Sequence, residues 1–220
     1  MEEAFVNING EGIETLEILF MLTLLSLIPS IVVMGSSFTR IVIVVSFLRN
    51  AMGIQQVPPN MIVTGMALFL SFYIMTPTID RINDEAYTPY KNEVITQEQA
   101  LENAVVPMKE FMLQNTEMDT LTMFMDFSQG EPVEDVLDLP LTVIVPSFIT
   151  SELARAFLIG FLVFMPFLLI DIIVACTLMS MGMMMLPPSM ISLPFKLLLF
   201  VTVDGWHLLF SALISSFRFG

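Results

Sequence analysis

One cysteine, one histidine and one tryptophan in 220 residues remove several chemistries at once. A disulfide framework needs paired cysteines, so Cys176 builds none within the chain. A multi-His metal site needs more than His207. Bases are also scarce: 8 Lys and Arg against 22 Asp and Glu give a net charge of −14, which repels phosphate and excludes nucleic acid as a partner. Only 14% of the chain is charged, against about 25% in ordinary soluble domains. The chain contains no P-loop, GxGxxG, GxSxG or HExxH motif, and no repeat of solenoid length. These absences predict no enzyme and no cofactor.

What is abundant is apolar: 55% of the residues are hydrophobic, with 19 Met and 19 Phe. Charge placement organises them. Residues 1–17 form an acidic segment, and residues 18–39 and 50–79 are free of charge. Residues 80–138 hold fourteen acids and three bases, after which the chain turns apolar again to residue 220. A bilayer is crossed by about 20 apolar residues in a helix. The expected layout is therefore an acidic segment (1–17), a first apolar helical hairpin (18–79), an acidic helical insert (80–138) and a second apolar helical block (139–220). The fold class is an all-α membrane-associated protein of kinked helical hairpins, with membrane lipid among its partners.

The acidic start lacks the basic leading region of a secretory signal. Arg40 and Arg49 lie between the first two apolar runs, which places that link in the cytoplasm and the acidic insert outside it. Thirteen prolines punctuate the chain, many within apolar runs, and a proline inside a helix removes a backbone bond and kinks it. Pro58-Pro59 and Pro187-Pro188 are expected at the two hairpin turns.

Within the insert, Thr96 and Gln99 have the spacing of a capping box, followed by an apolar stripe of Leu101, Val105, Met108 and Met112. A second helix is expected from Thr116. Either this insert packs on itself, or the Phe111 and Phe124 faces make an oligomer contact, since so short a segment buries little alone. In the last block, Glu152 and Arg155 are three apart and can neutralise each other on one helix face. Lys196 needs an acid, and a tight turn near 183–188 sets it within a turn of Asp171, with Glu152 the other choice. These four charges are buried ion pairs or a proton or ion path. The run SMGMMMLPP, residues 180–188, sets Met183, Met184 and Met185 on several sides of a loop. Thioether chains fill irregular gaps without fixing one shape, so such a tip is either core filling or a deformable apolar plug.

SFTRIVIVVSFLRN (37–50), QQVPPN (55–60), LPLTVIVPSFITSELARAFLIGF (139–161) and LMSMGMMMLPPSMISLPFKLLLFVTVDGW (178–206) resemble the FliP family of the flagellar type III export gate, in order along nearly the whole chain. The resemblance implies a multi-pass component of the bacterial inner membrane and the flagellar basal body. Its implied partners are other copies of itself in a pentamer, FliQ and FliR, further export-apparatus membrane proteins, and unfolded flagellar substrates. Stacked hairpins would form a conical, largely extramembrane complex, and Met183, Met184 and Met185 would be a gasket closing its pore. Many relatives carry a cleavable signal sequence that the start of this chain lacks. An injectisome export-gate counterpart and a proton- or ion-conducting membrane protein are the alternative readings.

Overall fold

The computed structural model describes residues 5–8, 11–14, scattered positions between 18 and 34, and 35–54, 57–128, 135–183 and 185–218. Residues 1–34 and 35–220 are two separate compact units. In the first, β1 (Phe5–Ile8) and β2 (Glu11–Glu14) pair antiparallel, with Ile8 opposite Glu11. The sequence between them reads Asn-Gly, the preferred pair for a two-residue hairpin connection.

The second unit is helical among its described residues. Its elements are α1 (Phe38–Met52), α2 (Asn60–Lys91, with a π turn at Asn83–Tyr87), α3 (Gln97–Gln114) and α4 (Met118–Ser128). A 3-10 turn (Val136–Asp138) then leads into α5 (Leu141–Ser180), α6 (Pro188–Thr202) and α7 (Gly205–Ser215).

α1 is the centre of the unit. Its β-branched sequence is a modest helix former, and burial makes up the difference. Ile41, Val44, Val45, Leu48, Ala51 and Met52 are all buried at helical spacing against α2, α5 and α6. The helix stops at Gly53, whose φ of +77° lets its amide bond back to the carbonyls of Arg49 and Asn50. α1 and α5 run parallel: Arg40 meets Glu152, and further along Phe47 meets Phe157 edge-on, with ring centroids 5.4 Å apart. The approach there is close, since a Cβ on Gly160 would stand 2.7 Å from the Phe47 ring.

α5 has 40 residues, about 60 Å at helical rise, and it continues through Pro146 and Pro166. Likewise α2 continues through Pro77, α3 through Pro107 and α6 through Pro194. Each interior proline removes one backbone bond, where a kink is expected, and the flanking turns of a long packed helix carry the element on past it. A sharp bend lies between α6 and α7, which meet at 63°. Asp204 takes a left-handed φ of 51° there, and the Trp206 ring stands edge-on to Phe200 with centroids 5.3 Å apart. Among the described residues, α2 and α5 are long and apolar enough to cross a membrane, and α6 with α7 would make a third crossing if the bent pair acts as one.

The insert is built on the same core. α3 opens with the capping box: Gln99 N–H donates to Thr96 Oγ1 at 3.3 Å, and Thr96 N–H donates to Gln99 Oε1 at 3.1 Å. Thr116 does not start α4. Its hydroxyl donates back to Met112 O at 2.7 Å, a bond within reach because α3 has only just ended, and α4 begins at Met118. α3 and α4 pack against α5, so the insert does not fold on itself alone.

Candidate functional site

Arg40 and Glu152 are both fully buried, 112 positions apart, on the facing sides of α1 and α5. Arg40 Nε donates to Glu152 Oε2 at 2.9 Å and its Nη2 to Glu152 Oε1, a two-pronged pairing. Nη1 donates to Ser216 O at 2.9 Å and Ser216 Oγ at 2.8 Å, and the Phe217 ring centroid lies 3.7 Å from the guanidinium carbon. Every nitrogen of the group is used, as burial of a charge demands. The same stretch of chain is held once more: buried Asn115 accepts from Arg218 N–H at 3.1 Å and donates to Arg218 O at 3.3 Å. Residues 216–218 are thus tied to α1, α3 and α5 together.

A second cluster lies nearer the other end of α5. Lys196 Nζ donates to Asp171 Oδ2 at 2.6 Å and to Ala51 O at 2.9 Å, and Ser192 donates to Asp171 Oδ1 at 2.6 Å. Ala51 sits in the last turn of α1, where free carbonyls and the helix dipole favour a cation. Lys196 is buried, whereas Asp171 has 35% of its side chain exposed.

Three expectations change with this geometry. Glu152 and Arg155 do not pair with each other. Glu152 lies on the face of α5 that packs on α1, while Arg155, one turn on, points to the insert and Glu117 at 3.5 Å. Phe111 faces inward rather than outward, buried between Phe148 at 5.9 Å and Phe217 at 6.5 Å, because α3 lays its apolar stripe on α5. Phe124 is only partly buried against the same core. Arg40 is no loop charge either: it stands in the first turn of α1 as a paired core residue, which leaves Arg49 alone to mark the link.

The turn between α5 and α6 presents Met183 and Met185, 44% and 99% exposed, with Gly182 at a φ of +74° before them. Met184 lies outside the described residues. Pro187 caps α6 and Pro188 begins it, where its fixed φ fits the first turn. Pro58 and Pro59 lie between α1 and α2, directly before Asn60. Beside the methionine turn, Ile173, Leu178, Met181, Ile191 and Phe195 line an apolar recess of about 500 Å³. Cys176 and His207 are exposed on α5 and α7. The groups missed from sequence were Arg40, Ser216 and Asn115. An arginine inside a long apolar stretch was the available signal, because such a charge needs a buried partner.

A model of the FliP family matches residues 21–213. Flagellar biosynthetic protein FliP of Bacillus subtilis (strain 168) is 51% identical over 203 residues, covering 92% of both chains. Its namesake in Pectobacterium carotovorum subsp. carotovorum is 47% identical over 211 residues, covering 95% of this chain and 82% of the relative. That of Aquifex aeolicus (strain VF5) is 45% identical over 213 residues, covering 95% of this chain and 89% of the relative.

Proposed function

This chain belongs to the FliP family of flagellar export components, and on that footing we propose that copies of it surround a protein-conducting pore closed by Met183, Met184 and Met185. The observation that carries the reading is the methionine turn. Two thioether side chains stand in the open at the end of a hairpin, an unfavourable place for apolar groups unless other chains cover them. Several such tips meeting on an axis would exclude ions by dewetting and still yield to an unfolded polypeptide.

The assembly in this reading is a pentamer joined by FliQ and FliR in the bacterial inner membrane, with several passes per subunit. Unfolded flagellar subunits pass through it, driven by machinery elsewhere in the apparatus. The apolar surfaces of α2 and α5, with Phe69, Phe72, Phe157 and Phe161 exposed, supply the faces that neighbouring helices or lipid would cover. The curated relatives above all carry flagellar names, which favours flagellar over injectisome export. Glu152 and Lys196 are locked in direct bonds to the protein, which favours a structural role over a proton relay.

Replacing Met183, Met184 and Met185 together with alanine tests the gasket. Assembly should be retained while small-ion conductance of the reconstituted complex rises. Wild-type conductance in a correctly assembled mutant complex would defeat the reading. A trapped substrate should also crosslink at Met185, which an assembly factor that never lines a pore would not allow.

A further inference from the structure

Seven of the fifteen residues from 176 to 190 carry sulfur: Cys176, Met179, Met181, Met183, Met184, Met185 and Met190. Residues 172–195 around them hold no Asp, Glu, His, Lys or Arg, so sulfur is the main ligand chemistry that the side chains of this stretch offer. The backbone at its centre is fixed. Gly182, at a φ of +74°, donates its N–H to Met179 O at 3.0 Å, and Met183 N–H donates to Leu178 O at 3.0 Å, the paired bonds of a Schellman end to α5. Leu186 N–H then donates to Met183 O at 3.4 Å and closes the next turn. Met181 and Leu178 line the apolar recess together, and the bond from Met183 brings the chain back to Leu178. Met181, Met183 and Met185 thus leave alternate positions across these two turns, 62%, 44% and 99% exposed. Each carries its sulfur on a flexible stem, which lets three such groups turn toward one point.

We propose that Met181, Met183 and Met185 form a thioether site for Cu(I). Neutral thioethers are soft donors that select this ion. Calcium and magnesium require several oxygen ligands, and zinc takes thiolate, imidazole or carboxylate. Asp171, the acid next to the charge-free stretch, is already engaged by Lys196 and Ser192. The apolar recess beside the turn favours a monovalent ion over a divalent one, because taking charge out of water is costly. A bound ion would draw the three side chains together and stiffen a tip that they otherwise leave deformable. The proposal goes beyond the gasket reading and does not rest on it: all three ligands belong to one chain, and Met181 lies outside the trio assigned to the gasket.

The full chain, purified in mild detergent and kept under ascorbate without oxygen, would compete for Cu(I) with the coloured chelator bicinchoninate. One Cu(I) per chain should be withdrawn, and X-ray absorption at the copper edge should show a shell dominated by sulfur. Met181→Leu should weaken retention about tenfold or more, and Met181→Leu with Met183→Leu should abolish it. Leucine keeps the volume of the side chain, so these variants should fold as the parent does. Met61→Leu and Met118→Leu, which remove well-exposed thioethers elsewhere, should change nothing. Zn(II) should not be retained. The proposal is overturned if no Cu(I) is taken up, if nitrogen or oxygen dominates the copper shell, or if Met61→Leu or Met118→Leu loses as much as Met181→Leu. Equal uptake of Zn(II) would overturn it as well. Loss with Cys176→Ser, while Met181→Leu binds normally, would assign the metal to the thiol and likewise overturn it. Should the double variant not fold, Met181→Leu and the copper spectrum decide alone. Small-ion conductance of the assembled complex, which reads the gasket, is a separate measurement, so either reading can fail without the other.

Discussion

Taking the carboxylate of Glu152 away strands a guanidinium among α1, α5 and residues 216–217, with no other acid among the described residues paired to it. Glu152→Gln is therefore expected to destabilise the protein by about 3–5 kcal/mol, read from thermal or denaturant unfolding in detergent. Replacing both members, Arg40→Met with Glu152→Leu, should recover much of that loss, since paired charges in a core gain little over apolar groups of the same size. A double mutant no better than Glu152→Gln would mean the pair does more than neutralise itself. Lys196→Met removes the tie from α6 to Asp171 and to Ala51 O, and should lower the recovery of intact complex; normal yield and stability would contradict it. These two clusters differ in how far they can be read ahead. Lys196 and Asp171 are 25 positions apart on the two arms of one hairpin, and counting through the turn brings them level. Arg40 and Glu152 are separated by the whole insert, so nothing in the spacing joins them, and Arg155 three residues away looks the better partner on paper.

Among whole elements, local rules worked where the deciding contact was local. The Thr96–Gln99 box predicts the start of α3 because both hydrogen bonds lie within four residues. Proline positions mark a lost backbone bond and not a helix end, and packing on α1 holds α5 together through Pro146 and Pro166. The Phe111 face misled for the same kind of reason: an apolar stripe states that something covers it, without saying whether that is this chain or another. The α1–α5 pairing offers a direct test. Gly160→Ala places a methyl group 2.7 Å from the Phe47 ring and should cost about 1–3 kcal/mol, with Phe47→Leu in the same chain restoring part of it. Thermal unfolding of the two variants checks this, and an unshifted Gly160→Ala would show that the helices can part freely at that level.

At the scale of the molecule, the helices share one core and the polar ties cluster away from the methionine turn. Arg40, Asn115 and Ser151 join α1, α3, α4 and α5 to residues 216–218 near the insert, while the turn between α5 and α6 is tethered through Lys196. Asn115→Ala should release residues 216–218, seen as faster limited proteolysis there and a loss of about 1–3 kcal/mol in unfolding, with the spectroscopic helix content unchanged. Protection equal to the parent would show that Arg40 suffices to hold that stretch.

The Arg40 cluster also sets a timetable for biosynthesis. Its carboxylate is made 112 residues after it and its serine 176 residues after it, so on a ribosome adding about 5–20 residues per second the first apolar helix waits many seconds for its counter-charge. Throughout that interval the nascent chain carries that cation without its carboxylate, and Ser216 must follow in turn before every nitrogen of the group is bonded.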